Sequence, residues 1–400
     1  MSYIGLNEAL KNWKRMLMVG IQLGAVLFLS IVAVTTYQEQ SAKYIGFKGF
    51  LSGEGDLLAI DTMDIMEHYD TGIEVWIRNV LDDVEAVDYP LHNSISVTAG
   101  DSLYYSVYGY SEVIGKYAPP LESGVWFTDA KKEEGYINAT ITKNNDGIET
   151  GDVIDIKLET GKNVKIKICG VIENKATFFS PGITSEKCDI FSMYESYDIY
   201  DEAFQREIIF MDKDEMAQTI GGVCLFTFFV KYNDDISHET LERNRKNYQK
   251  LYAQSQSFED LKRNSEAVIA NKLMVLVPIT ACAFVLIGLS IASTSALGTL
   301  ESMKDYAIFY ICGSPWKKML GLRFVEMMGS CAIGIFIVSI LRSVTVMAGY
   351  KNIILFKLSA AAILIVAIEL VVMVVFSLIL PLVIMKKNTP VSVFKNNIGG

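Results

Sequence analysis

Four stretches of the chain are long, apolar and nearly free of charge. Leu17 to Thr36 and Leu273 to Ala292 contain no charged residue. A third stretch centres on Met327 to Leu341 and continues past Arg342 to Ala348, and a fourth, Leu358 to Met385, holds one charge, Glu369. About twenty residues of helix span roughly 30 Å, the thickness of a bilayer's hydrocarbon core. The pattern predicts a membrane protein with four transmembrane α-helices, at 17–37, 272–295, 323–348 and 353–385. It leaves 38–271 as a large polar insert between helices one and two. The first run is longer than a signal-peptide core and no clear A-x-A site follows it, so it is expected to stay as an anchor.

The insert carries shorter periods. Val75, Ile77, Val80 and Leu81 have helical spacing, and Glu85 to Tyr89 follows as a strand. Leu103 to Tyr110 is aromatic and β-prone. Ile154 to Leu158 alternates, Glu159 to Lys162 turns, and Val164 to Ile168 alternates again, which predicts a hairpin. Val223 to Val230 is a continuous apolar run, the pattern of a buried strand. Residues 239–252 and 257–271 have helical character, and the second leads into span two without a breaker. Mixed strands and helices predict an α+β insert, long enough for two subdomains.

Charge gives this layout a direction. Residues 1–37 hold three basic and one acidic residue, 38–271 hold 22 and 41, and 272–400 hold eleven and four. Lys11, Lys14 and Arg15 precede span one. Lys304, Lys317, Lys318 and Arg323 lie between spans two and three, and Lys386, Lys387 and Lys395 follow span four. All three groups fall on one side of a four-helix topology, which the positive-inside rule makes the cytoplasm. Segment 38–271 is then extracytoplasmic, as is the turn at Lys351 and Asn352. The first sixteen residues form a cytoplasmic amphipathic segment, with Leu6, Leu10 and Trp13 opposing Lys11 and Lys14. Residues 296–322 form a cytoplasmic loop and 386–400 a cytoplasmic tail. A chain that is 51% apolar, with net charge −10 and mean hydropathy +0.28, is no nucleic-acid binder.

The search for chemistry returns little. The sequence contains no G-x-S-x-G, no H-E-x-x-H and no G-x-x-x-x-G-K-[ST], so it has no P-loop of its own. No catalytic, cofactor-binding or metal set is expected. Asp61, Asp64, Glu67, His68 and Asp70 offer carboxylates to a divalent cation, and a solvated polar face accounts for them equally well. Asn144 to Gly147 is like an EF-hand loop but has Thr142 and Val153 at the first and twelfth ligand positions, which favours a plain turn. Cys169, Cys188 and Cys224 are an odd number in the insert, so at least one stays free or pairs between chains; small buried hydrophobes is the favoured reading.

Several stretches together are similar to the MacB/FtsX-type ABC transporter permeases, the type VII or mechanotransmission class. Leu121 to Phe127, Ile137-Asn138, Gly147 to Ile154 and Val164 to Ile172 follow the order of that family's extracytoplasmic core domain. Lys304 to Pro315, with Glu326 after it, resembles the family's cytoplasmic coupling loop, and Thr389 to Phe394 its tail. Asp305, Tyr310 and Pro315 depart from the usual loop residues. The resemblance spans essentially the whole chain.

It implies a permease without catalysis of its own, working with a cytoplasmic ABC ATPase subunit that binds ATP and Mg. It also implies a second permease chain, in a homo- or heterodimer, membrane lipid around the spans and an extracytoplasmic adaptor as a further partner. Glu301, Lys304, Asp305, Ile308, Gly313 and Ser314 would form the ATPase-coupling loop. Independently, Leu300, Met303, Ala307 and Ile311 have helical spacing with Glu301, Lys304 and Asp305 opposite, and Gly313 can end that helix. An interfacial helix without a partner has the same pattern. Lys317, Lys318 and Arg323 are placed at the headgroups. Gly20 and Gly24 form a G-x-x-x-G that permits close helix contact and is a candidate dimer face. Glu326, Arg342 and Glu369 are charges within or beside the spans. For Glu369 three readings stand: a moving pair with Arg342, a static pair, or a protonated carboxyl.

The expected function is export or relocation of an amphipathic cargo such as a peptide, antibiotic or lipoprotein, across or from a bacterial cell membrane. An FtsX-like regulator of a cell-wall hydrolase and a membrane-anchored receptor without ATPase are the alternatives.

Overall fold

The computed structural model describes residues 12–60, 72–99, 101–157, 163–180, 188–200, 207–224, 227–251, 253–315, 318–347 and 359–388. The first part of the amphipathic segment, the Asp61–Asp70 cluster, the Glu159–Lys162 turn, Lys317, Lys351, Asn352 and the Thr389–Phe394 tail lie outside them.

In chain order the elements are α1 (Trp13–Phe50), β1 (Gly55–Ile60), α2 (Ile73–Val80), β2 (Val84–Asp88), β3 (Leu91–Ala99), β4 (Asp101–Tyr110), β5 (Leu121–Gly124) and β6 (Ile137–Thr142). They continue with β7 (Val153–Lys157), β8 (Asn163–Ile172), β9 (Thr177–Phe179), β10 (Tyr194–Ser196), β11 (Ile208–Asp212), α3 (Lys213–Thr219), β12 (Val223–Cys224) and β13 (Thr227–Tyr232). The last are α4 (His238–Asn247), β14 (Ala253–Ser257), α5 (Phe258–Glu301), α6 (Met303–Ile311), α7 (Lys318–Met347) and α8 (Ala360–Lys387). They divide into two compact units, Met1–Glu39 with Asn271–Gly400, and Gln40–Ala270.

In the second unit, one sheet runs β14-β1-β13-β2, antiparallel throughout. A larger sheet runs β12-β3-β4-β11-β6-β8-β5, with parallel pairing at β4–β11 and β6–β8. The expected hairpin is present as β7 against β8, with Ile154 opposite Ile166. The apolar run at 223–230 divides into β12 and β13. In β13, Phe229 faces the core formed with Phe47, Phe179 and Phe258, while Phe228 and Val230 face a second core with Ile77, Leu81 and Leu251. A strand buried on both faces has no polar alternation, which is why its sequence shows none.

Helix starts follow side-chain caps. Ser257 Oγ accepts from Asp260 N at 3.1 Å at the head of α5, Ser237 Oγ from Thr240 N at 3.1 Å for α4, and Ser359 Oγ from Ala362 N at 3.1 Å for α8. Gly124 of β5 and Gly170 of β8 meet. Gly124 has φ +78°, and a Cβ there would collide with the backbone of Cys169 and Gly170. Beside it, Trp126 is buried and donates to Gly115 O at 2.7 Å.

The Asn144 turn closes on itself, with Asn144 Oδ1 accepting from Ile148 N at 2.9 Å, and Asp146 accepts from the Tyr105 hydroxyl at 3.0 Å. Cys169, Cys188 and Cys224 are free and buried. Burial pushes the Cys188 and Cys224 thiols up to about 11, so at neutral pH they stay protonated and act as small hydrophobes. A buried polar knot lies between the first two strands' neighbours: Asp56 accepts from the Tyr248 hydroxyl, which sits 2.7 Å from that of Tyr232, and Arg245 approaches at 3.5 Å.

In the first unit, α1, α5, α7 and α8 supply four helices long and apolar enough to cross a membrane. They meet at Val19, Leu23, Ile291, Met327, Cys331 and Met373. The fold is thus four candidate spans with an α+β domain inserted between the first two. The helices exceed the apolar runs: α1 reaches Phe50, and α5 begins at Phe258 with Pro278 inside it.

Candidate coupling site

The loop between spans two and three folds as a helix with a sharp start and a sharp end. The start is Ser302, a turn residue that separates α5 from α6. The end is a Schellman arrangement: Gly313 has φ +89°, Gly313 N donates to Tyr310 O at 3.0 Å and Ser314 N to Phe309 O at 2.9 Å. Pro315 follows and cannot prolong the helix. The role of Gly313 as helix terminator is therefore visible in both sequence and structure.

The buried face differs from the expected one. Met303, Tyr306 and Ala307 are buried, and the first two pack with Met319 of α7 and Met385 of α8, whereas Leu300 and Ile311 are exposed. Half of the predicted stripe, Met303 and Ala307, is thus buried, and Leu300 lies on α5 across the turn at Ser302. Leu297, Leu300, Lys304, Ile308 and Ile311 are instead exposed, with Ile308 51% and Ile311 67% accessible. Asp305 is half-buried.

Four charges gather at the root of α6. Arg15 of α1 donates to Glu301, the last residue of α5, and its other nitrogen is 3.8 Å from Glu326 of α7. Arg323 of α7 pairs with Glu326, donates to the carbonyl of Gly298, and donates to Ser302 Oγ at 2.6 Å. Its guanidinium carbon lies 5.6 Å from the Tyr306 ring centroid, a cation–π distance. Arg323 is only 4% exposed, held among protein groups rather than reaching out from the bundle. A buried guanidinium needs several acceptors in fork geometry, and a carboxylate, a helix-end carbonyl and a hydroxyl supply them here. Gly298 makes the arrangement possible, since a Cβ there would strike both Arg15 and Arg323.

Of the expected site residues, the structure brings Glu301 and Glu326 together. Lys304, Ile308, Gly313 and Ser314 lie along α6 or at its end and take no part in the cluster. Sequence reasoning missed Arg15, Gly298, Ser302 and Arg323 as site residues. The available signal was the i,i+3 pair Arg323–Glu326, which places opposite charges on one helix face.

Two other expectations are corrected. Gly20 and Gly24 pack inside the chain: a Cβ on Gly20 would lie 2.5 Å from Ile333 and one on Gly24 3.0 Å from Ile337, with Gly334 seated between them. This face is occupied by α7 and is not free for a second copy. Glu369 does not pair with Arg342. It accepts from Ser30 Oγ of α1 at 2.6 Å, and Arg342 has no carboxylate partner among the described residues. A second polar contact between spans joins Gln22 to Ser290 at 3.1 Å.

The chain matches no family model and no curated protein. Three solved structures are similar over about half of it. The extracellular domain of the noncanonic ABC-type transporter YknZ from Gram-positive bacteria is 11% identical, covering 51% of this chain and 99% of that one at a TM-score of 0.27. The periplasmic region of MacB from Actinobacillus actinomycetemcomitans is 11% identical, covering 55% and 95% at 0.28. A domain of a putative permease protein from Porphyromonas gingivalis is 10% identical, covering 51% and 86% at 0.23.

Proposed function

We propose that this chain is the permease subunit of a MacB/FtsX-type ABC transporter, with α6 docking on a separate cytoplasmic ATPase that binds ATP and Mg. The charge cluster carries the reading. It links the root of α6 to α1, α5 and α7 through Arg15 and Arg323, and in this reading displacement of α6 is passed to those three spans. Ile308 and Ile311, exposed on α6 together with Lys304, supply an apolar docking face of the kind that a protein partner covers.

α1 and α5 are continuous helices through residues 40 and 270, which suits them to pass that movement to the inserted domain on the extracytoplasmic side. Glu369 and Arg342 apart, the described spans carry no charge-lined polar face, which favours an amphipathic cargo moved from the outer side over a solute conducted through the chain. A second permease chain and an extracytoplasmic adaptor complete the assembly in this reading.

The test is a mild-detergent purification from native membranes, followed by mass spectrometry and an ATPase assay. A stoichiometric P-loop subunit is expected with the wild-type chain. It is lost with Ile308→Glu, or when Gly313 and Ser314 are replaced by bulky charged residues, and retained with Tyr200→Ser in the inserted domain. A wild-type chain that purifies without any ATPase overturns the proposal and leaves a membrane-anchored receptor.

A further inference from the structure

A groove of 640 Å³ opens on the first unit between α1, α7 and α8. Its walls are Leu27 and Ile31 of α1, Ile335 and Val338 of α7, and Ile363 and Val366 of α8. One charge lines it, Arg342, near the far end of α7 from the coupling site. Ser339 and Ser343 beside it donate back to their own helix, to Ile335 O and Ser339 O at 3.0 Å each. Their hydroxyl protons are thus engaged, and Arg342 is the free donor of the groove among the described residues.

An exposed arginine in a spanning helix extends toward the headgroup level, and it is stabilised there by an anion. Among the described residues no carboxylate pairs with Arg342. Glu369 is engaged by Ser30. The connecting segment 348–358 contains Lys351 and Lys357 and no acidic residue. A second copy placed symmetrically on the same face would set arginine against arginine. What matches an apolar trough with one cation at its end is an amphiphile with acyl chains and an anionic head.

We propose that this groove is a binding site for an anionic phospholipid of the bilayer. One acyl chain lies along Leu27, Val338 and Ile363, and the headgroup phosphate is held by Arg342. A guanidinium pairs two phosphate oxygens in its planar fork, whereas a zwitterionic lipid brings its own cation to the same place and gains less. The site does not depend on the ATPase reading, because no residue of the coupling cluster lines it.

The experiment uses the full chain, stripped of lipid in detergent and titrated with phosphatidylglycerol or phosphatidylcholine, with bound lipid counted by native mass spectrometry. The wild type is expected to hold one phosphatidylglycerol per chain with a preference of about tenfold over phosphatidylcholine. Arg342→Gln is expected to lose that preference, Arg342→Lys to keep part of it, and Ser339→Trp, which fills the groove, to lose the bound lipid. Equal retention of the two lipids by the wild type overturns the proposal, as does undiminished phosphatidylglycerol binding by a folded Arg342→Gln chain. The wild-type comparison decides even where a variant fails to fold. A wild-type chain that binds neither lipid and runs as a dimer overturns it too, by giving the groove to a second copy.

Discussion

Arg323 reaches from α7 to the carbonyl of Gly298 on α5, one turn before that helix ends and α6 begins. The same carbonyl accepts from Ser302 N at 3.1 Å, so a helix-end carbonyl serves both the backbone and a buried cation. The contact also fixes the angle at which α6 leaves the bundle, because Arg323 holds Ser302 at the same time.

Removing this cation is expected to be expensive. Arg323→Ala leaves the Glu326 carboxylate buried without its main partner, at a cost of about 3–5 kcal/mol. Arg323→Lys is expected to recover less than half, since one ammonium cannot serve three acceptors in a plane. Replacing Arg323 and Glu326 together by Met and Leu is expected to cost less than Arg323→Ala alone. Thermal unfolding of the full chain in detergent, read for all three variants, checks the order.

Gly298→Ala places a methyl group against both guanidiniums. The midpoint of thermal unfolding is expected to fall, with ATPase stimulation falling alongside it. Gly321→Ala is the control, since a Cβ there meets nothing within 4 Å and alanine is the better helix former by about 1 kcal/mol. A Gly298→Ala chain as stable as Gly321→Ala would refute the packing argument.

Ser30 and Glu369 are expected to be coupled, and Arg342 and Glu369 are not. A double-mutant cycle over Ser30→Ala and Glu369→Gln should return a coupling of about 0.6–1.7 kcal/mol, the range measured for polar contacts between spans. The same cycle over Arg342→Leu and Glu369→Gln should return zero within error.

Gly124→Ala is expected to destabilise the inserted domain by about 2 kcal/mol or more, because it combines a positive φ with a backbone collision. Denaturant unfolding followed by the fluorescence of the buried Trp126 is the readout. Gly135→Ala shares a positive φ without any nearby atom, so the difference between the two isolates the collision.

Asp56 predicts an unusual pH dependence. Burial raises its carboxyl above the ordinary carboxylate range, against the lowering effects of Tyr248 and Arg245. The folded chain then takes up a proton at a pH where the unfolded chain is still ionised, so acidification stabilises the fold through this group. That contribution is complete below the unfolded value of about 3.9 and is lost as pH rises through the raised one. Asp56→Asn removes the slope. Its stability relative to wild type should be highest at neutral pH and decline toward acid, measured by denaturant unfolding in pH steps.

Patterns carried by neighbouring residues were legible in the chain. Four apolar runs nearly free of charge gave four candidate spanning helices, because hydrocarbon thickness sets helix length directly. The Gly313-Ser314-Pro315 order gave the end of α6, because a left-handed residue followed by proline stops a helix whatever surrounds it. The alternation around 154–168 gave the hairpin. By contrast β14, Ala-Gln-Ser-Gln-Ser, has no apolar alternation and forms as a strand through its ladder on β1, residues that lie two hundred positions earlier.

The candidate site was only half legible for the same reason. Glu301 and Glu326 stood out as charges beside spans, but their partners are chosen by helix rotation. Arg15 is nearly three hundred residues from Glu301, and no local period connects them. Rotation also turned Gly20 and Gly24 inward onto α7, and gave Glu369 to Ser30 when Arg342 lay at a reachable depth. By itself the sequence determined the spans and those helices and strands that carry a local period, because propensity, period and length act over a few residues. Only the tertiary structure decided which side chains meet, because a span's azimuth is set by close packing against the others, and that packing is a property of the whole bundle.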